Sequence, residues 1–344
     1  MNKSNLHTKE PAMKSASPLY AVCLLLLSTT LLSAAEPVQL KLESVQKIWD
    51  KDPHNAFTGL TRFKDQWFCV FRTGKAHVSP DGSLQVLSSK DGKTWKPVAR
   101  ISSETSDLRD AKISVTPEGQ LMLSGAAALP QPNPVKHQSM NWFSDDGTHW
   151  SKGYKIGDPS VWLWGMKWHN GDVYSIGYHT GKEGPRFTRL YKSSDGKDYE
   201  TVVDKLFDTG YTNESSLVFT KDNTCYCLLR RDAKGANTGL LGVSRPPYTD
   251  WEWKDLGVRI GGPDLFQLPD GRFLATVRLY SPKAHTSICQ IDVEKGTLTE
   301  LLELPSGGDT SYANMVLHDG LLNVSYYSSH EGKTSIYFAK VSYK

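Results

Sequence analysis

Apolar residues come in short runs along this chain, alternating with polar positions and broken by turn residues. No long stretch keeps the spacing of an amphipathic helix, and the run Leu298–Leu304 is too short to form one. Three runs, Leu84–Leu87, Met140–Phe143 and Phe187–Tyr191, lead into the same pattern, Ser-x-Asp-Gly-x-x-aromatic, at Ser89–Trp95, Ser144–Trp150 and Ser193–Tyr199. An Asp-Gly pair between apolar runs predicts a hairpin. Glycine accepts the left-handed backbone of a tight turn, and the Ser and Asp side chains bond turn amides. Asp91, Asp146 and Asp195 stand 55 and 49 residues apart, a period that signals a propeller or an array.

A second set of turns runs through the chain: Lys64-Asp65-Gln66, Pro117-Glu118-Gly119, His169-Asn170-Gly171, Lys221-Asp222-Asn223, Pro269-Asp270-Gly271 and His318-Asp319-Gly320. Their first residues are 53, 52, 52, 48 and 49 apart. Each joins two runs rich in β-branched and aromatic residues, so each unit opens with an antiparallel hairpin. It continues with a second hairpin, the Ser-x-Asp-Gly one or a remnant such as Ser244–Trp251 or Asp292–Gly296. The sixth unit stops one strand short after Thr334–Ser342, and Leu40–Trp49 is placed to supply that strand. The expected fold is all-β: a six-bladed β-propeller of four-stranded antiparallel blades, the last closed by the N-terminal strand so that no edge stays open. Residues 36–344 then form a single domain.

Residues 1–35 read as a secretory signal peptide: Lys3, Lys9 and Lys14, the apolar run Leu19–Leu32, then Ser33-Ala34-Ala35. The run is too short for a membrane span. A secreted or periplasmic monomer is expected, with no membrane insertion after cleavage. Without that segment the net charge falls from +3 to about +1, too little to hold nucleic acid. Cys69, Cys225, Cys227 and Cys289 remain, too scattered for a disulfide scaffold and without Cys-x-x-Cys spacing or a His-rich companion. Buried apolar thiols are expected, and no metal or other cofactor.

In a propeller the first strand of each blade runs along the channel and the second returns. First-strand starts and second-strand ends therefore share one rim. The starts supply Asp110 beside Arg109, Trp162, Trp164, Glu214, Asp264 and Tyr312. The ends supply Arg72, His179, Arg230-Arg231, Arg278 and Tyr326-Tyr327, and a following loop adds His77. Three guanidinium groups suit a carboxylate, which they bind by paired, charge-assisted hydrogen bonds. A carboxylate on the anomeric carbon repels an anionic nucleophile; a neutral tyrosine deprotonated by a neighbouring carboxylate avoids the repulsion. Trp162 offers a flat apolar face for a sugar ring.

The Ser-x-Asp-Gly-x-Thr-Trp turns on blades of this length resemble the Asp-boxes of the sialidase superfamily, over the whole of residues 36–344, although each copy is one residue shorter than the usual box. The resemblance implies Tyr312, in Ser311-Tyr312-Ala313, as nucleophile, Glu214, in Asn213-Glu214-Ser215, as its base, and Asp110 as the acid/base. Arg231, preferred to Arg230 as nearer the mouth, resembles the family's second arginine, and Arg278 the third. Where the family carries its first arginine the chain reads Asn55-Ala56-Phe57-Thr58-Gly59-Leu60, and Arg72 is expected in its place. The family's closing Tyr-Glu is Tyr326-Tyr327 here. The function implied is an exo-acting glycoside hydrolase that releases a terminal acidic sugar, sialic acid or a relative, from a glycan or glycoconjugate with retention. Two other uses of the mouth stay open: a polysaccharide lyase or a hydrolase for another sugar, and a propeller that binds carbohydrate without turnover.

Overall fold

The computed structural model describes residues 37–181 and 186–344, and the segment read as a signal peptide lies outside them. Pro37–Lys344 forms one compact unit of six four-stranded antiparallel sheets. The described residues contain no helix. The first strands of blades 1 to 6 are His54–Phe63, Asp107–Val115, Val161–His169, Thr212–Phe219, Gly261–Gln267 and Thr310–His318. They surround the channel, and the later strands of each blade follow outward in chain order. Blade 6 takes its outermost strand from Leu40–Trp49, which pairs with Ser335–Tyr343 from Leu40↔Tyr343 to Trp49↔Ile336. The two ends of the chain thus close the ring, as the sequence pattern predicts.

The turns follow their residue chemistry. Lys64-Asp65, Asn170-Gly171 and Asp319-Gly320 each hold two consecutive positive φ angles, the mirror-image turn whose twist matches that of a hairpin. In each Ser-x-Asp-Gly turn the serine Oγ accepts the glycine N–H, at 2.9 Å for Ser89, 2.8 Å for Ser144 and 2.9 Å for Ser193. The aspartate Oδ1 accepts the next two N–H groups, both at 2.8 Å for Asp91. These turns rest on the preceding blade. A Cβ on Gly147 would stand 2.1 Å from Phe68 of blade 1, and one on Gly196 2.8 Å from Met122 of blade 2. In the remnant of blade 4, Tyr248 takes the left-handed place (φ 67) and packs edge-on against Tyr174 of blade 3. The turns therefore clasp successive blades. The four cysteines are free and buried.

Candidate active site

Every first strand carries a β-bulge in which two residues oppose one: Phe57-Thr58, Asp110-Ala111, Gly165-Met166, Asn213-Glu214, Gly262-Pro263 and Tyr312-Ala313. The leading residue has positive φ in five of them: Phe57, Asp110, Gly165, Gly262 and Tyr312. A bulge re-aims its side chain, and at functional sites such backbone strain costs on the order of 1–3 kcal/mol per residue. Glycine bears that conformation without penalty. Phe57, Asp110 and Tyr312 bear it with side chains, all turned toward one rim.

Tyr312 and Glu214 meet there. The tyrosine hydroxyl donates to Glu214 Oε1 at 2.5 Å. Arg230 Nη1 donates to Glu214 Oε2 at 2.8 Å and to the Tyr312 oxygen at 3.0 Å. The Gly262 N–H, at the bulge of blade 5, donates to Glu214 Oε2 at 3.0 Å. Burial works against the charge on Glu214. Arg230, the Tyr312 hydroxyl and the Gly262 amide outweigh it and hold the carboxyl below its usual range. Burial and the Glu214 charge push the Tyr312 phenol well above its ordinary value, against the pull of Arg230 and Arg278. At rest the proton therefore belongs to tyrosine and the charge to glutamate.

Asp110 is 7% exposed, and its Oδ1 has no hydrogen-bond partner among the described residues. Burial pushes its pKa up to about 6; the nearby Arg109 opposes the shift and the Glu214 charge adds to it. A carboxyl that keeps its proton up to about pH 6 thus stands within the electrostatic reach of a charged one.

The arginines divide differently from the sequence expectation. Arg278 is at the site: its Cζ lies 5.4 Å from the centre of the Tyr312 ring, and it donates to Thr310 O at 2.7 Å and Tyr327 at 3.1 Å. Arg230 is there too, and Arg231 is not. Arg231 turns to Thr238 O at 2.8 Å and forms an ion pair with Asp255. Arg72 is fully buried and spent on Asp107 at 2.9 Å, Ala76 O at 2.8 Å and Ser79 O at 3.2 Å. It braces the loop that carries His77 and, with no exposed surface, does not face a substrate. The expected clamp of Arg72, Arg231 and Arg278 is not assembled.

Arg109 lies over the rings of Phe57 at 5.7 Å and Trp162 at 5.8 Å, and donates to the His77 carbonyl at 3.3 Å. Trp162 is only 5% exposed, stacked on Tyr178 and set against His137. It is a packed wall of the site and offers no open platform. Asp264, expected at the rim, lies further along the channel. There it accepts the Met315 N–H at 2.7 Å and lines a cavity of about 340 Å³ together with Lys112, Trp164 and Asn314.

Sequence reasoning passed over His54, Phe57 and Asp309. Asp309 accepts from Tyr327 at 2.6 Å, and its other oxygen stands 2.8 Å from His77. Phe57 packs edge-on against both Tyr312 at 4.9 Å and His77 at 5.1 Å. The absence of an arginine from Asn55–Leu60 was the one signal that pointed to this corner.

No protein-family model and no curated protein matches the sequence. Solved structures do share the fold. A protein of unknown function from Dyadobacter fermentans superposes with a TM-score of 0.77 at 20% identity, over 89% of this chain and 99% of that one. The alpha-L-arabinofuranosidase of Fusarium graminearum, in complex with an iminosugar inhibitor, gives 0.68 at 13% identity, over 88% and 98%. The sialidase of Trypanosoma rangeli, in complex with the inhibitor DANA, gives 0.65 at 12% identity, over 87% of this chain and 58% of its own. Two of these three neighbours are glycosidases. At such identities the likeness is one of fold, and the chemistry has to be argued from the rim itself.

Proposed function

We propose that the protein is a glycoside hydrolase acting with retention at the rim formed by Tyr312, Glu214 and Asp110. The observation that carries this reading is the 2.5 Å contact between a buried tyrosine and a charged glutamate, with Arg230 bonded to both. The Tyr312 oxygen attacks the anomeric carbon as its proton passes to Glu214, and the bond to the leaving oxygen breaks as Asp110 protonates it. Asp110, now charged, takes a proton from water, the hydroxide displaces Tyr312 from the sugar, and Glu214 returns the proton to tyrosine. Two displacements at one carbon preserve its configuration.

The sugar assigned is a terminal one bearing a carboxylate, sialic acid or a relative, with Arg278 and Arg230 as its cationic partners. A neutral nucleophile beside a glutamate is the device such a sugar calls for. A second reading, a neutral sugar of the arabinofuranoside kind, is favoured by the diversion of Arg72 and Arg231 into structural ion pairs. Fluorogenic aryl sialosides and arabinofuranosides, followed by NMR of the first-formed product, separate the two. The reading requires a retained anomer from wild type and none from Tyr312→Phe; an inverted product overturns it. Secretion or export to the periplasm is proposed with it, on the character of residues 1–35.

A further inference from the structure

His54 opens the first strand of blade 1, His77 lies in the loop after the second strand, and Asp309 immediately precedes the first strand of blade 6. One ligand atom from each of His54, His77 and Asp309 lies within 4.8 Å of the other two. Both imidazoles aim at the same oxygen: Oδ2 is 3.2 Å from His54 Nε2 and 2.8 Å from His77 Nδ1. The other oxygen, Oδ1, is fixed by the Tyr327 hydroxyl at 2.6 Å and approached by Arg278 at 3.4 Å. We propose that His54, His77 and Asp309 form a binding site for a zinc-like divalent ion on the rim of the active site.

Two imidazoles and one carboxylate are a donor set that zinc takes in sites that keep a position open for a further ligand. Ligand atoms on a tetrahedral ion with bonds of about 2.0–2.1 Å stand roughly 3.3 Å apart. His54 and Asp309 already have that separation. His77, half exposed on its loop, has only to withdraw by about half an ångström. The Tyr327 bond supplies the outer support that keeps a ligating carboxylate oriented. His54 is held by its strand, so the site is built on a rigid element with one adjustable ligand. Phe57 packs against His77 and Arg278 approaches Asp309, so the cluster borders the Tyr312 rim. An ion there would hold a carboxylate or hydroxyl oxygen of the sugar, adding a third cation to Arg278 and Arg230. That substrate-facing role rests on the function proposed above; the binding of the ion does not.

The test uses the full chain stripped with a chelator and titrated with Zn²⁺ by calorimetry, with the visible spectrum of Co²⁺ as a second readout. One ion per chain is expected. His77→Ala, which alters an exposed side chain, should abolish uptake, and Tyr327→Phe should weaken it about 10- to 100-fold. His285→Ala is the control, because His285, Glu300 and Glu303 form another cluster of possible ligands. No uptake by wild type, uptake that survives His77→Ala, or uptake lost in His285→Ala overturns the proposal. Tyr312→Phe should keep the metal while losing turnover. A protein that binds zinc and cleaves no glycoside overturns the assigned function and leaves the site standing; an active enzyme that takes up no zinc does the reverse.

Discussion

Tyr312 and Glu214 are 98 residues apart in the chain and 2.5 Å apart in space. They come from first strands of blades 6 and 4, and the amide of blade 5 that bonds Glu214 lies between them. Three consecutive blades thus converge on one carboxylate. The ring converts periodic strand starts into a single cluster, and the bulges turn the side chains inward.

Removing the Tyr312 hydroxyl separates chemistry from structure. Tyr312→Phe removes the bond to Glu214 and the one from Arg230 but leaves Glu214 bonded to Arg230 and Gly262, so the destabilisation is that of partly compensated buried hydrogen bonds, about 1–3 kcal/mol. Turnover of any glycoside that wild type cleaves should fall by about 10³-fold or more, as the loss of a covalent nucleophile requires. Thermal melting and initial rates on the same preparation check both halves. A drop in rate matched by a collapse in melting temperature contradicts the assignment.

Arg230 and Arg231 are neighbours with opposite fates. Arg230→Ala strands the buried Glu214 charge and should cost about 3–5 kcal/mol as well as activity. Arg231→Ala breaks a pair whose aspartate is half exposed, and should cost about 1 kcal/mol with the rate unchanged. Denaturant midpoints and rates for the two variants decide it. Equal effects on rate would mean that Arg231 also reaches the substrate.

The contrast between these arginines shows where sequence reading stops. Turn residues act locally, so Asp-Gly and Asn-Gly pairs announced the hairpins, their period announced the blades, and the missing strand in blade 6 announced the closure. Rim membership of Tyr312, Glu214, Asp110 and Arg278 followed from strand starts and ends. Facing direction did not. Side chains alternate along a strand, so Arg230 continues the face of Leu228, which packs with Leu265 and Ala275 of blade 5. Arg231 continues the face of Leu229, which packs with Tyr174 and Ile176 of blade 3. Choosing the arginine nearer the strand end ignored that parity. Arg72 was misread for a related reason: its partner Asp107 lies 35 residues away, in a different blade, where no local pattern points to it. The bulges that aim Asp110 and Tyr312 leave no mark in composition, since bulky Phe57 and Tyr312 are poor candidates for left-handed backbone and a lone aspartate is common elsewhere.

The clasping turns make a prediction about stability alone. Gly119 and Gly147 have nearly the same φ, 79° and 78°, so alanine at either costs about 1–2 kcal/mol of backbone strain. A Cβ at Gly119 meets nothing within 4 Å, whereas at Gly147 it meets Phe68 at 2.1 Å. Gly147→Ala should therefore be worse than Gly119→Ala by a further 1–3 kcal/mol, roughly the cost of overpacking. Equal denaturant midpoints would show that the turn does not hold blade 2 against blade 1.

Asp110 ties activity and stability to the same ionisation: both should fall as the pH rises through about 6, and Asp110→Asn should move them in opposite directions. Its pKa is raised from 3.8 to about 6, chiefly by burial. A raised acid is charged at a cost in the folded state, so its contribution to stability is fully present below pH 3.8 and lost as the pH rises through about 6. The shift corresponds to about 3 kcal/mol at neutral pH. Asp110→Asn abolishes that penalty, and the variant should melt higher than wild type at pH 7 and no higher at pH 3.5. In catalysis Asp110 has to enter protonated, so kcat/KM should decline above about pH 6. Glu214, held below its usual range chiefly by Arg230 against the effect of burial, keeps its charge further to the acid side than an ordinary glutamate, so it should add no limb near that of Asp110. For leaving groups that need protonation, Asp110→Asn should lose most of its rate and the alkaline limb with it. An aryl glycoside with a good leaving group should recover the first step and not the second. If the limb near pH 6 persists in that variant, another group supplies the proton, and Asp110 is no more than a strained residue of the bulge.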